Sequence, residues 1–311
     1  MNVKSTIEKV KFKGNDFTWI SIKNTDEKSI DYLRRNYKFH PLDLEDCLSE
    51  IQRPKIDDYD DYLFIVLHIP VRVIRKKIIQ VSELKIFIGQ NFLITLHNDD
   101  PTIKDIFENC KKKKNTKEEY MKKGSGYLLY MIIDDLFESG FPLLDKLAKT
   151  MNELETEVFD HDYSRDRLKD ILLLKKDIIN FRRIIMPQRA IIAQLEHKNK
   201  KFLPENLDVY FDDIVDKIEK IWNNLENLQE LVASLQETNE SIISHNTNNV
   251  IKILTIFSVV MLPLTFITGF YGMNVEGLPF VRETASVGII SGILFFIAIS
   301  MISYFKYRKW L

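Results

Sequence analysis

The chain has 311 residues, 29% of them charged, and a formal net charge of −1; its mean hydropathy of −0.16 is that of an ordinary soluble protein. Near-neutral charge gives no reason to invoke nucleic acid as a partner. The two cysteines, Cys47 and Cys110, sit far apart in neither CxxC nor Cys/His spacing, which argues against a disulfide framework or zinc module and for buried thiols in a reducing compartment.

From the N-terminus, Met1-Asn2-Val3-Lys4-Ser5 lacks the apolar core of a signal peptide, so the long first segment is expected to stay in the cytosol. Residues 17–22, 63–69, 71–74, 83–88 and 92–96 are rich in β-branched and aromatic side chains and read as strands, with Gly89-Gln90-Asn91 as a hairpin turn. Residues 25–35 and 41–49 read as short helices, the second opened by Pro41. This predicts an α/β domain over 1–115, with Lys111 to Lys114 as an exposed linker. An outer helical hairpin over 116–203 follows. Its apolar residues (Leu128, Met131, Ile132, Leu136, then Leu143, Leu147, Met151, Leu154, Val158) fall at helical spacing. A break near 160–164 precedes a second helix over 166–196, which Pro187 is expected to kink. The acidic cluster Glu153, Glu155, Glu157, Asp160 and Asp162 reads as a solvated helix end rather than a cation site.

Beyond Pro204, Phe211, Ile214, Ile218, Ile221, Leu225, Leu228, Val232, Leu235 and Ile242 recur at steps of three and four, a heptad-type seam. A second stripe at the same spacing is wholly polar: Asp213, Asp216, Lys220, Asn223, Asn227, Glu230, Ser234, Glu237, Ser241, Ser244 and Asn248. Nothing charged occurs between Lys252 and Glu276, or between Glu283 and Lys306. Each gap suffices for a helix to cross a hydrocarbon core, which takes about 20 residues. The chain therefore reads as a stalk helix (204–250), a first span (251–273), an external loop (274–285), a second span (286–305) and a basic tail (306–311). Stalk and first span form one helix of about 60 residues, roughly 90 Å long. The basic residues Lys306, Arg308 and Lys309 after the second span put both termini on the cytosolic side.

The polar stripe continues into the span as Ile251, Thr255, Ser258, Leu262, Thr265, Gly269 and Gly272. Two readings are open: a wet helix face running into a close-packed span, or the lining of a hydrated path narrowed by Ile251, Leu254 and Leu262. The second requires an oligomer, because two spans cannot enclose a pore. At the exit turn, Gly272 and Asn274 suit a helix C-cap, or Asn274 offers a neutral carbonyl to the water shell of a cation such as Mg²⁺. Neither Cys nor His lies on the stripe, which favours a hard ion. Phosphate loops, nucleophile elbows and metal-hydrolase motifs are absent, so an enzyme is not expected.

Residues 248–274, above all Met261-Leu262-Pro263-Leu264-Thr265-Phe266-Ile267 leading to Tyr271-Gly272-Met273-Asn274, closely resemble the CorA family of magnesium channels. The likeness extends to residues 304–311 and, in the soluble part, to 39–42, Glu45-Asp46 and 52–59. It implies a homopentameric funnel in the plasma membrane: a cytosolic α/β domain, a long helical stalk and two C-terminal transmembrane helices. It implies Gly272, Met273 and Asn274 as the selectivity filter and Asn248, Ile251, Leu254, Leu262, Thr265 and Gly269 as pore-facing, to which the stripe adds Thr255 and Ser258. It also implies a basic collar of Lys252, Lys306, Arg308 and Lys309, and a regulatory Mg²⁺ held between cytosolic domains by Asp213 with Asp99 or Asp100. His97 beside them is expected to be a surface histidine. Mg²⁺ is then both cargo and regulator, and Co²⁺ or Ni²⁺ are similar-sized alternatives. No organic cofactor is implied, and the partners are the lipid bilayer and further copies of the chain. A sister family of ZntB-like zinc transporters is the alternative.

Overall fold

The computed structural model describes residues 5–14, 16–49, 51–73, 78–159, 165–196, 200, 202–203, 207–273, 286–308 and 310. They fall into two compact units, residues 1–236 and 237–311.

The first unit is built on a six-stranded sheet of order β1-β2-β6-β5-β4-β3: β1 (Thr6–Phe12), β2 (Phe17–Lys23), β3 (Lys55–Asp58), β4 (Tyr62–Val73), β5 (Ile78–Gly89) and β6 (Phe92–His97). Neighbours are antiparallel except β2 and β6, whose parallel pairing sets Lys23 beside His97. That register matters below. Between β2 and β3 run α1 (Glu27–Asn36), opened by an Asp26–Ser29 capping box, and α2 (Pro41–Leu48). Alternate sheet residues Ile20, Ile22, Tyr62, Phe64, Val66, Phe87 and Ile94 pack with Ile30, Leu33, Phe39 and Leu44 in one core. Trp19 faces the other way, against Phe107 of α3 (Pro101–Lys112), with ring centroids 4.9 Å apart.

Two strands escape the sequence pattern. Of the β1 residues only Val10 is buried, and β3 is Lys-Ile-Asp-Asp; both are sheet edges paired through backbone. The two strands expected over 63–69 and 71–74 are one, β4, continuous through Pro70. β3 pairs only Leu63 to Val66, so Pro70 needs no ladder donor on that side. The linker expected at Lys111 to Lys114 is instead the junction of α3 with α4 (Lys114–Met121), with Lys113 between them.

Three helices follow: α5 (Ser125–Glu138), α6 (Gly140–Phe159) and α7 (Arg165–Glu196), the last containing Pro187. The expected break at 160–164 lies outside the described residues. Gly126 is demanded by a close approach, since a Cβ there would sit 2.2 Å from the Phe202 carbonyl oxygen.

The next helix, α8, runs from Asp208 to Tyr271 and passes through Pro263. The seam from Phe211 to Leu235 is buried at every predicted position, with exposures of 7% or less, while Ile242 is only half-buried. α8 lies antiparallel to α7: Lys175 bonds Gln236, Arg182 sits 4.2 Å over Trp222 and pairs with Glu226, and Arg189 pairs with Glu219. The polar stripe from Asp213 to Ser234 is exposed throughout.

In the second unit, the rest of α8 is joined by α9 (Ser286–Tyr307). Both helices are long and apolar enough to cross a membrane; 6% of the most apolar window of α8 and none of that of α9 is buried, unlike a core helix. Between residues 251 and 271 of α8 the least exposed positions are Lys252, Ile256, Val260, Pro263, Leu264, Ile267 and Tyr271, one helical face. Those of α9, Ile290, Leu294, Ile297, Ala298, Met301 and Phe305, form another.

Candidate functional site

The side of α8 opposite Ile256 carries the stripe. Ile251 is 54% exposed, Leu254 59% and Leu262 71%, so α9 does not cover them within one chain. Asn248, Thr255, Ser258, Thr265 and Gly269 are exposed too. Each hydroxyl spends its hydrogen on its own helix: Thr255 donates to the Ile251 carbonyl (2.7 Å), Ser258 to Leu254 (2.9 Å) and Thr265 to Met261 (2.9 Å). What each presents outward is therefore oxygen lone pairs, an acceptor surface suited to the water shell of a cation.

At the exit, the Gly272 N–H still donates to the Thr268 carbonyl at 2.9 Å, and Met273 closes a tighter turn onto Phe270 at 3.4 Å. Gly272 is not in the left-handed conformation that an αL cap requires. A Cβ there would lie 3.0 Å from the Thr268 oxygen, a tight contact that a larger residue could make only if that carbonyl gave way slightly. Asn274 and Lys309 lie outside the described residues. Of the collar, Lys306 and Arg308 are exposed and Lys252 is half-buried. Trp310 stacks on Phe305 with ring centroids 5.8 Å apart, folding the tail back on α9.

The structure separates the candidate regulatory carboxylates. Asp99 has φ 55 and an exposed side chain whose Oδ1 lies 2.6 Å from Lys23 Nζ. The hydrogen bond from Lys23 holds its carboxyl below the usual aspartate value. Asp213 is exposed one turn from Lys217, at 3.7 Å. Lys217 also holds Asp134 at 2.6 Å and Glu138 at 3.5 Å. Burial opposes its charge, but the Asp134 hydrogen bond and the three carboxylates outweigh that and raise its pKa. Asp100 is different: it is 3% exposed and caps α3. Its Oδ1 accepts from the Thr102 and Ile103 amides, and its Oδ2 from the Ser82 hydroxyl. With both oxygens engaged inside the fold, Asp100 does not fit a regulatory ligand. His97 is not a surface residue either. It is 4% exposed, accepts from the Asp100 amide at Nδ1 and contacts the Ser21 hydroxyl at Nε2.

Exposed carboxylates such as Asp99 and Asp213 are hard donors of the kind Mg²⁺ takes. Among the described residues no three His, Cys, Asp or Glu side chains gather as a cage, so a cation there needs ligands from beyond one chain or from water. Lys217 was legible as the i+4 partner of Asp213. Lys23 was not, because only the β2–β6 pairing brings it to Asp99.

Comparison with known proteins agrees with this architecture. The family model for the CorA-like Mg²⁺ transporter protein matches residues 14–309. The cobalt/magnesium transport protein CorA of Thermotoga maritima is 30% identical over 298 residues, spanning 94% of this chain and 83% of that protein. The complete structure of the CorA magnesium transporter from Methanocaldococcus jannaschii superposes with a TM-score of 0.85 over the whole of both chains, at 22% identity. More distantly, the zinc transport protein ZntB of Yersinia pestis is 20% identical over 294 residues, 94% of this chain and 88% of that protein. By fold, by its two C-terminal membrane helices and by sequence over nearly its whole length, the chain belongs to the CorA-like family of divalent metal transporters.

Proposed function

We propose that this protein is a homopentameric channel of the plasma membrane that passes hydrated Mg²⁺, and also Co²⁺ or Ni²⁺, down its gradient with both termini in the cytosol. The observation that carries this is the α8 stripe: bulky apolar residues at 251, 254 and 262 alternate with hydroxyls whose lone pairs face away from the covered side of the helix. Five such stripes around an axis form a wet path with apolar constrictions. An ion that keeps its hydration shell, as Mg²⁺ does, passes only where water passes. Gly272, Met273 and Asn274 form the outer filter, and Lys252, Lys306, Arg308 and Lys309 form the collar at the inner mouth.

Closure follows from cytosolic Mg²⁺ bridging Asp213 of one subunit to Asp99 of the next. Without the ion each carboxylate falls back on its own lysine, Lys217 or Lys23. Losing the bridge loosens the assembly because nothing then ties the carboxylate of one subunit to that of the next. Limited proteolysis of the purified protein tests this: Mg²⁺ protects the soluble unit, and Asp99→Asn or Asp213→Asn abolishes the protection.

The zinc reading draws on the ZntB relatives. Against it stands the absence of Cys and His from the stripe. Indicator flux in proteoliposomes with competing divalents decides: the magnesium reading requires Mg²⁺ flux that Co²⁺ inhibits and that micromolar Zn²⁺ does not replace.

A further inference from the structure

On α7, neighbouring cations have opposite fates. Lys175 and Arg182 turn towards α8 and find Gln236, Gln229 and Glu226. Lys176 and Arg183, one residue further on in each case, turn about 100° away and face a groove between α7, the segment 51–54 and the start of β5. Arg53 approaches the same groove from the 51–54 segment. Among the described residues none of these three cations has a carboxylate partner, and none of the described residues lining the groove is a carboxylate. Arg189, by contrast, is matched by Glu219 at 2.5 Å.

The groove encloses about 850 Å³, the range of small-molecule sites rather than of a single ion. Its floor is apolar (Ile51, Pro54, Ile79, Val81, Ile184 and Pro187), and its amides are Gln52, Gln80 and Asn180. Asn180 donates to the Ile79 carbonyl at 3.3 Å, and its amide oxygen remains an acceptor. Lys176 and Arg183 are seven residues apart, about 10 Å along the helix. A run of linked phosphates lying along the helix can engage both without either side chain having to bend towards the other. Guanidinium groups grip phosphate through paired N–H donors, ammonium as a point charge. A flat apolar body with hydrogen-bonding edges would cover the floor and meet the amides.

We propose that Arg53, Lys176 and Arg183 form a binding site for a nucleoside polyphosphate, with the phosphates along α7 and the base over the Ile79–Ile184 floor. Such a ligand is the anionic, apolar-bodied counterpart of what lines the groove.

Titration calorimetry on the full-length protein in detergent, with EDTA and potassium salts, tests this with ATP, adenosine and inorganic phosphate as separate probes. ATP should bind saturably, at least tenfold more tightly than adenosine or phosphate. Arg183→Ala, Lys176→Ala and Arg53→Ala should each weaken ATP about tenfold, the loss expected for one charged hydrogen-bonding group. Lys169→Ala, on α7 but outside the groove, should leave binding unchanged. These substitutions are on exposed side chains, and circular dichroism verifies that the variants stay folded. Absence of saturable ATP binding would overturn the proposal. So would equal affinity for phosphate and ATP, or ATP affinity unaltered in Arg183→Ala.

Discussion

Lys23 Nζ lies 2.6 Å from Asp99 Oδ1, an ion pair made within one chain where the parallel strands β2 and β6 end side by side. A cation arriving at Asp99 must displace that ammonium. On the regulatory reading proposed above, the lysine competes with Mg²⁺ for Asp99 and raises the Mg²⁺ needed for closure. An exposed pair of this kind is worth about 0.2–1 kcal/mol, so Lys23→Gln should lower the Mg²⁺ concentration for half-protection from protease by roughly 1.4- to fivefold. An unchanged midpoint would remove Asp99 from the regulatory site.

Asp100, next in sequence, should behave as a structural residue. Asp100→Ala removes the α3 cap and leaves the Ser82 hydroxyl without its acceptor. The expected loss is about 1–3 kcal/mol of stability, with Mg²⁺ protection retained once the protein is folded. Loss of protection at unchanged thermal stability would contradict this assignment.

His97 links the same region to pH. Burial lowers its pKa from the ordinary 6.5, against the fields of Asp100 and Asp99. The unfolded chain therefore takes up its proton at higher pH than the folded one. The stability this group contributes is full above about 6.5 and is lost as pH falls towards the folded value. Fluorescence of Trp19, which is buried and bonded to Thr95 at 3.2 Å, can follow unfolding. Its melting temperature should drop more steeply below about pH 6.5 in the wild type than in His97→Gln. Parallel slopes would show that the His97 proton is not involved.

The apolar constrictions separate gate from packing. Leu254→Asn or Ile251→Ser should give an assembled pentamer with raised Mg²⁺ leak and weaker closure by internal Mg²⁺. Both side chains stand clear of the face of α8 turned inward, so little stability should be lost. An aggregated or monomeric product without leak would identify them as packing residues.

Much of this molecule could be read from its sequence, and the unread parts share a cause. The seam from Phe211 to Leu235 was legible because helical periodicity is local and apolar. The strands β1 and β3 were not, because an edge strand needs only backbone partners and can be mostly polar. The spans were legible from missing charge alone. His97 was misread as exposed because its burial comes from the end of β6 lying inside the sheet, next to β2, a contact 76 residues away in sequence. Among the aspartates, Asp100 followed by Pro101 carries a helix-start signal that went unused, and it would have pointed to the cap that the structure shows.

The central claim is that a ring of α8 helices, capped by Gly272, Met273 and Asn274, conducts hydrated Mg²⁺. Mg²⁺ entry into indicator-loaded proteoliposomes, compared between the wild type and an Asn274→Ala protein of the same oligomeric size, tests it most directly. Saturable, Co²⁺-inhibited influx in the wild type and none in the variant is the predicted result; normal influx through assembled Asn274→Ala would contradict the filter and leave Asn274 as a helix cap.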